Sequence, residues 1–146
     1  MPSWTIYNAL GRIALAEFGD IVVCVTVMAL PTGDPLKLRL DIVDGSLLDV
    51  FLSVSSRYSY HWERRLTPAA TGYRHDNAPH VRWRDVTSFP RNFHDGAEER
   101  VIASQIREDP REAIREFLTF VRQKLLNKAY PDSDCDPAYV DDALGT

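Results

Sequence analysis

Four histidines lie in one stretch of this chain, residues 57–94. An imidazole titrates near neutral pH, so two histidines can supply the base and the acid for cleavage of a phosphodiester bond. RNA carries its own nucleophile, the 2′-hydroxyl group, and therefore needs no metal or covalent intermediate for this reaction. We predict that His80 and His94 are the acid and the base, that Asp76 orients an imidazole, and that His61 is a further catalytic candidate.

The same stretch is basic within an acidic chain. It holds seven arginines and three acids, whereas the whole protein has a net charge of −4. A basic centre with aromatic residues is typical of a surface that binds a polyanion, and aromatic rings can stack on unpaired bases. The predicted RNA-binding residues are Arg57, Arg74, Arg82, Arg84, Tyr60 and Trp62. A solvated face whose arginines pair with nearby acids remains an alternative.

Structural and metal-binding interpretations of these residues stay open. His61 can pair with Glu63, and His75 can simply fill a strand position. The turn that begins Asp76-Asn77 can be structural, with both side chains bonding backbone amides. A zinc or manganese site could be built from His61, His80, His94 and Asp76. These spacings match no standard metal pattern, so we predict no metal and no cofactor.

The elements that must position these residues are mostly strands. Residues 21–30 are apolar on both faces, which favours a central strand. Residues 36–42 and 47–54 alternate around the hairpin residues Asp44-Gly45. Further strands are predicted at 57–64 and 73–77, then an ordered loop over 79–98, then an edge strand over 100–106. The alternation places Tyr58, Tyr60 and Trp62 on one face of the fourth strand and His61 on the other.

Two helices complete the predicted fold. Residues 4–18 form an amphipathic helix that stops at Gly19, and the sequence Asp109-Pro110-Arg111-Glu112 starts a second helix. We therefore predict an α+β fold, an antiparallel meander of five or six strands with both helices on one face. A single domain spans residues 1–128, and residues 129–146 form an acidic, mobile tail.

The composition excludes some classes of protein. The longest apolar run, residues 21–30, is too short to cross a membrane, and the N-terminus lacks the basic region of a secretion signal. Cys24 in a buried strand and Cys135 in a loose tail make a poor disulfide pair. We predict a cytoplasmic protein with no membrane partner, and the sequence leaves a homodimer open.

Three motifs resemble the TumE-type toxins of bacterial and archaeal toxin–antitoxin pairs. They are Tyr58-Ser-Tyr-His61, Tyr73-Arg-His-Asp-Asn-Ala-Pro-His80 and Phe89-Pro-Arg-Asn-Phe-His94. The matched positions are Tyr60, His61, Arg74, Asp76, Asn77, Pro79, His80, Phe89, Pro90 and His94. The chain departs from the family pattern at Phe51, Val81, Arg91 and Asn92. These departures weaken a metal site more than an acid–base pair, and they leave a catalytically inactive member open.

The resemblance implies a small toxin that inhibits growth and is neutralised by a separately encoded helix-turn-helix antitoxin. Together with the histidines and arginines, it suggests a target in RNA or ribosome-associated RNA. The most concrete expectation is a metal-independent endoribonuclease. The alternatives are a toxin that binds without catalysis and a metal-dependent hydrolase with histidine ligands.

Overall fold

The computed structural model describes residues 4–64, 67 and 70–129, and these form two helices and seven strands. The helices are α1 (Trp4–Phe18) and α2 (Pro110–Ala129). The strands are β1 (Val22–Ala29), β2 (Pro35–Ile42), β3 (Leu47–Leu52), β4 (Tyr58–Glu63), β5 (Gly72–Asp76), β6 (Asn92–Gly96) and β7 (Val101–Ala103). A short 3-10 turn, Val81–Trp83, lies between β5 and β6.

All seven strands form one antiparallel sheet in which each strand pairs with the next along the chain. Helix α1 packs on β1 and β2, and α2 packs on α1 and β4. The apolar core lies between the helices and one face of the sheet, and its largest buried side chains include Trp62, Tyr7, Tyr60 and Phe117. The predicted α+β meander with two helices is confirmed, with a higher strand count.

The additional strand is β6, which lies inside the predicted loop over residues 79–98. Its sequence Asn-Phe-His-Asp-Gly has no alternation of apolar residues, so no strand was predicted there. Its polar side chains Asn92 and His94 are buried all the same, because the chain between β5 and β6 folds over them. The predicted edge strand over 100–106 is reduced to the three residues of β7.

The predicted central position of the first strand is wrong. β1 is one of the two edge strands of the sheet, and Val23 on it is 65% exposed. Only one face of β1 is covered by the core. Val25 and Val27 pack against the core from this face, whereas the other face of β1 is largely exposed.

No helix within residues 4–129 is both long and apolar enough to cross a membrane. The acidic tail predicted for residues 129–146 lies outside the described residues, apart from Ala129 at the end of α2. The division of the chain at residue 129 therefore stays a prediction.

Candidate functional site

The strand register aligns three predicted site residues on the sheet face opposite the helices. His61 on β4 pairs with Arg74 on β5, and Arg74 pairs with His94 on β6. Residues that are directly opposite in neighbouring strands point to the same face, so the three side chains form one row. Asp49 on β3 extends this row beyond His61. Three consecutive strands thus bring together His61 and His94, which are 33 positions apart in the sequence.

Arg74 is the centre of this row, and two carboxylates neutralise it. Its Nε donates to Asp76 Oδ2 at 2.7 Å, and its Nη1 and Nη2 donate to Glu98 Oε1 and Oε2 at 2.7 and 3.0 Å. Burial disfavours the guanidinium cation, but hydrogen bonds to Asp76 and Glu98 outweigh this and raise the pKa of Arg74. In this state Arg74 is a paired cation, with Glu98 in the geometry that a phosphate would take.

His94 is held in one tautomer by its neighbours. Its Nδ1 lies 2.9 Å from the carbonyl oxygen of Glu98, which can only accept, so Nδ1 must carry the proton. In the neutral ring Nε2 then has a lone pair, which accepts from Arg74 Nη2 at 3.0 Å. The indole of Trp83 packs edge-on against the ring at 6.0 Å, and the residue is only 4% exposed. His94 Nε2 can therefore act as a base, but Arg74 occupies its lone pair in this structure.

His80 lies at the rim of the same cleft. It precedes the 3-10 turn, is exposed, and lines a cleft of about 270 Å³. The cleft is also lined by Arg74, Arg82, Trp83, His94, Glu98 and Glu99. The two predicted acid–base residues thus share one cleft with two arginines, although one imidazole is exposed and the other is buried.

His61 lines a neighbouring cleft of about 230 Å³ rather than the His80 cleft. Arg74, His94 and Glu98 line both clefts and separate them. The His61 Nε2 lies 3.7 Å from Glu63 Oε2, so the structural pairing with Glu63 is present at long range. Burial first, and then the Arg74 cation, lowers the pKa of His61, so the surroundings favour its neutral form.

Asp76 does not orient an imidazole closely. Its Oδ2 lies 2.7 Å from Arg74 Nε but 3.6 Å from His94 Nε2. Its Oδ1 accepts from the Ala78 amide at 3.0 Å, and Asn77 Oδ1 accepts from the Tyr58 amide at 2.9 Å. Both side chains therefore bond backbone amides, as the structural interpretation of this turn predicts.

The predicted arginines do not all converge. Arg82 lies over the Trp83 ring at 4.6 Å and lines the His80 cleft, and Arg84 is exposed immediately after the turn. Arg57 instead lines a separate groove of about 460 Å³ beside Tyr58 and Glu108. Two of the four arginines, Arg74 and Arg82, therefore line the His80 cleft.

The predicted base platform at Tyr60 and Trp62 is wrong. Both side chains point to the helix face and are 1% and 0% exposed. Trp62 Nε1 donates to Ser46 Oγ at 2.7 Å, and its ring stacks on Tyr73. The aromatic face of β4 packs against the helices, which removes both rings from solvent. Alternation of residue types assigns Tyr60 and Trp62 to one face of the strand but does not determine which face the helices cover.

Three cleft residues, Trp83, Glu98 and Glu99, were missed by the sequence reasoning. Trp83 is the aromatic residue at the cleft, and its position between Arg82 and Arg84 was a signal that could have found it. Glu98 lies in the turn between β6 and β7, four residues after His94. Its role depends on that turn folding back over Arg74, which no local sequence pattern indicates.

His75 belongs to the core side of the sheet. Its ring stacks on Phe93 at 4.2 Å, and its Nδ1 lies 2.8 Å from Ser104 Oγ. Burial, with a smaller effect of the Arg91 cation, lowers the pKa of His75 to about 4. His75 therefore packs on the helix side of β5, in agreement with the interpretation that it fills a strand position.

The residues proposed as alternative metal ligands do not assemble into a metal-binding group. Across residues 4–64, 67 and 70–129, no three His, Cys, Asp or Glu side chains are placed to hold one ion. His61 and His80 line different clefts, which separates two of the four ligands considered for zinc or manganese.

Comparison with known families identifies the class of protein. The family model described as Toxin TumE matches residues 17–125, which is more than half of the 146 residues. The chain belongs to the TumE toxin family, and membership of a toxin family implies an antitoxin partner. Searches of curated proteins and of solved structures found no match.

Proposed function

We propose that this toxin inhibits growth by cleaving RNA without a metal ion, with His80 and His94 as its proton-transfer residues. The observation that carries the proposal is the shared cleft: two imidazoles 14 positions apart line one depression with Arg74 and Arg82. The site would act in the cytoplasm, on RNA or ribosome-associated RNA.

The proposed reaction is a transesterification in which phosphorus exchanges its bond to the 5′-oxygen for a bond to the 2′-oxygen. His94 Nε2 takes the proton of the 2′-hydroxyl, and the 2′-oxygen forms a bond to phosphorus. The bond from phosphorus to the 5′-oxygen breaks, and His80 in its imidazolium form gives a proton to that oxygen. The products are a 2′,3′-cyclic phosphate and a free 5′-hydroxyl, so protons and bonds balance.

Arg74 would stabilise the charge that develops on the phosphate oxygens. The Glu98 carboxylate now holds the two Nη groups of Arg74 and must leave before a phosphate can bind there. Glu98 is suited to this exchange because its side chain is 58% exposed. When Arg74 turns to the phosphate, its Nη2 also leaves His94 Nε2, which frees the base.

Trp83 and Arg82 would bind the base next to the cleaved bond. The guanidinium of Arg82 already lies over the indole ring, and both side chains line the cleft. Stacking of a base on an aromatic ring contributes about 1–3 kcal/mol and tolerates any sequence. We therefore expect weak sequence preference from this position.

A toxin that binds RNA in the same cleft without cleaving it is the second candidate. It is favoured by His94, which is buried and hydrogen-bonded at both ring nitrogens. In either case, the antitoxin suggested by the family resemblance is a helix-turn-helix protein.

Cleavage of labelled RNA by the purified protein, with and without EDTA, separates these candidates. We expect cleavage under both conditions and a loss of about 10²-fold or more in the His80→Ala variant, the usual size of an acid–base contribution. Val81→Ala is the matched control, because Val81 is the exposed neighbour of His80 in the same turn.

The remaining outcomes decide against parts of the proposal. Binding of RNA without cleavage supports the non-catalytic candidate. Cleavage that stops only with EDTA moves the chemistry to a bound metal ion. Equal activity of the His80→Ala and Val81→Ala variants removes His80 from the mechanism.

A further inference from the structure

The sheet ends at β7 with an open backbone edge. Within the described part of the chain, β7 pairs with β6 alone. The Asp95 amide donates to the Arg100 carbonyl, which makes that pair a hydrogen-bonded one. Bonded and non-bonded pairs alternate in an antiparallel ladder, so Val101 and Ala103 direct their N–H and C=O groups away from β6. A short ladder of unpaired donors and acceptors faces outward.

An aromatic groove of about 470 Å³ flanks this edge on the helix side. It is formed by Ile102 and Ala103 on β7 together with Phe93, Phe117 and Phe120. Ile102 is 46% exposed in the free protein, which is a large exposure for an isoleucine beside three phenylalanines. The groove therefore offers an apolar binding site for a large side chain.

A second groove of about 440 Å³ flanks the same edge on the open face. Ile102 and Ala103 line it as well, with Arg82, Trp83 and Val86 on the opposite wall. No residue that the structure describes forms an ion pair with Arg82, whose guanidinium lies over Trp83. Asp85 lines this groove as well, so the groove presents the Arg82 cation beside one carboxylate.

We propose that an extended segment of the antitoxin adds to β7 as an eighth strand. Its backbone would pair with Val101 and Ala103, and alternate side chains would enter the two grooves, as in other strand-addition complexes. The segment should present a large apolar side chain to the aromatic groove and a carboxylate to Arg82. This inference rests on membership of the toxin family and does not require that the protein cleaves RNA.

The position of β7 explains why this occupant is the antitoxin. Arg82 and Trp83 line both the open-face groove and the His80 cleft, so a chain bound at β7 covers one wall of the cleft. Binding there would switch off the site directly. The other edge of the sheet is less suited, because register shifts at both ends of β1 interrupt its regular ladder.

Ile102→Glu tests the surface, and Val23→Glu is its matched control. Val23 is also an exposed apolar residue on an edge strand, at the far end of the sheet. An unpaired carboxylate buried in the aromatic groove should weaken binding of the purified cognate antitoxin roughly tenfold or more. The control should bind normally, and the Ile102→Glu toxin should still inhibit growth when expressed alone.

Hydrogen exchange on the wild-type protein gives a second measurement that does not depend on any variant folding. On addition of antitoxin, the amides of Val101 and Ala103 should become protected, because each gains a backbone acceptor. Unchanged exchange at both amides, or unchanged antitoxin affinity in Ile102→Glu, overturns the proposal. So does a change of oligomeric state in Ile102→Glu by light scattering, since the edge would then join two copies of the toxin.

Discussion

At the scale of single residues, the cleft is defined by how Arg74 is shared. Its guanidinium bonds Asp76, Glu98 and the imidazole of His94 at once. Asp76 is fixed by its turn, and His94 is buried, whereas the Glu98 side chain is largely exposed. Glu98 is therefore the partner that can leave at the lowest cost, since exposed ion pairs contribute at most about 1 kcal/mol.

Glu98→Gln should increase the affinity for RNA. Loss of the carboxylate frees the outer side of Arg74 for a phosphate, and an exposed ion pair of this kind corresponds to about two- to fivefold in affinity. Fluorescence anisotropy with a labelled RNA measures the change. Glu99→Gln is the matched control, because Glu99 lines the same cleft without an ion pair to Arg74 among the described residues. An equal gain in both variants would mean that net charge alone is responsible.

At the scale of elements, the site depends on β6 and on the segment that folds over it. Asn92 and His94 are polar side chains on the face without helices, yet both are buried: Trp83 packs against His94, and Asn92 donates to the Pro90 carbonyl. On the helix side of the sheet, α1 lies so close to β1 at Gly11 that there is little room for a side chain at this position. A Cβ atom at Gly11 would lie 2.7 Å from Val25 Cγ1.

Gly11→Ala should strain the contact between α1 and β1. Alanine favours the helix by about 1 kcal/mol, but overpacking costs about 1–3 kcal/mol, so the net effect is destabilising or neutral. Val25→Ala removes the clashing methyl group. In a double-mutant cycle measured by urea unfolding, we expect the double variant to be more stable than the sum of the single changes by roughly 0.5 kcal/mol or more. Additive changes would show that α1 can shift away from β1 without cost.

At the scale of the whole molecule, the meander topology gives the two faces of the sheet different surroundings. One face joins the helices in the core, and the other presents the row of His61, Arg74 and His94. Because every strand pairs with its sequence neighbour, this row is assembled without long crossovers. The histidines of the two faces have different partners: His75 stacks on Phe93 on the helix side, whereas His94 bonds Arg74 on the open face.

His75 should make the stability of the fold depend on pH. Burial lowers the pKa of His75 to about 4 from its ordinary value of 6.5. Between pH 6.5 and pH 4, His75 binds a proton in the unfolded chain but not in the folded chain. The contribution of His75 to the free energy of unfolding is therefore complete above pH 6.5 and falls as the pH drops towards 4. The loss from this residue is at most about 3 kcal/mol. Urea unfolding at several pH values measures it.

His75→Phe should reduce this pH dependence, because phenylalanine can keep the stacking on Phe93 without titrating. His61 contributes in the same direction, since its pKa is also lowered. A His61→Asn variant measures that share separately. If the His75→Phe protein lost stability between pH 6.5 and 4 as steeply as the wild type, the buried imidazole would not be the cause.

The sequence by itself determined the α+β class, the two helices and most strands, because alternation, turn residues and helix caps are local patterns. It also determined the family through the motifs around His61, His80 and His94. Only the tertiary structure decided that Tyr60 and Trp62 lie in the core, that Glu98 and Trp83 complete the cleft, and that Arg57 lies elsewhere. These facts depend on which sheet face the helices cover and how two loops fold over β6, and both are set by packing between distant segments.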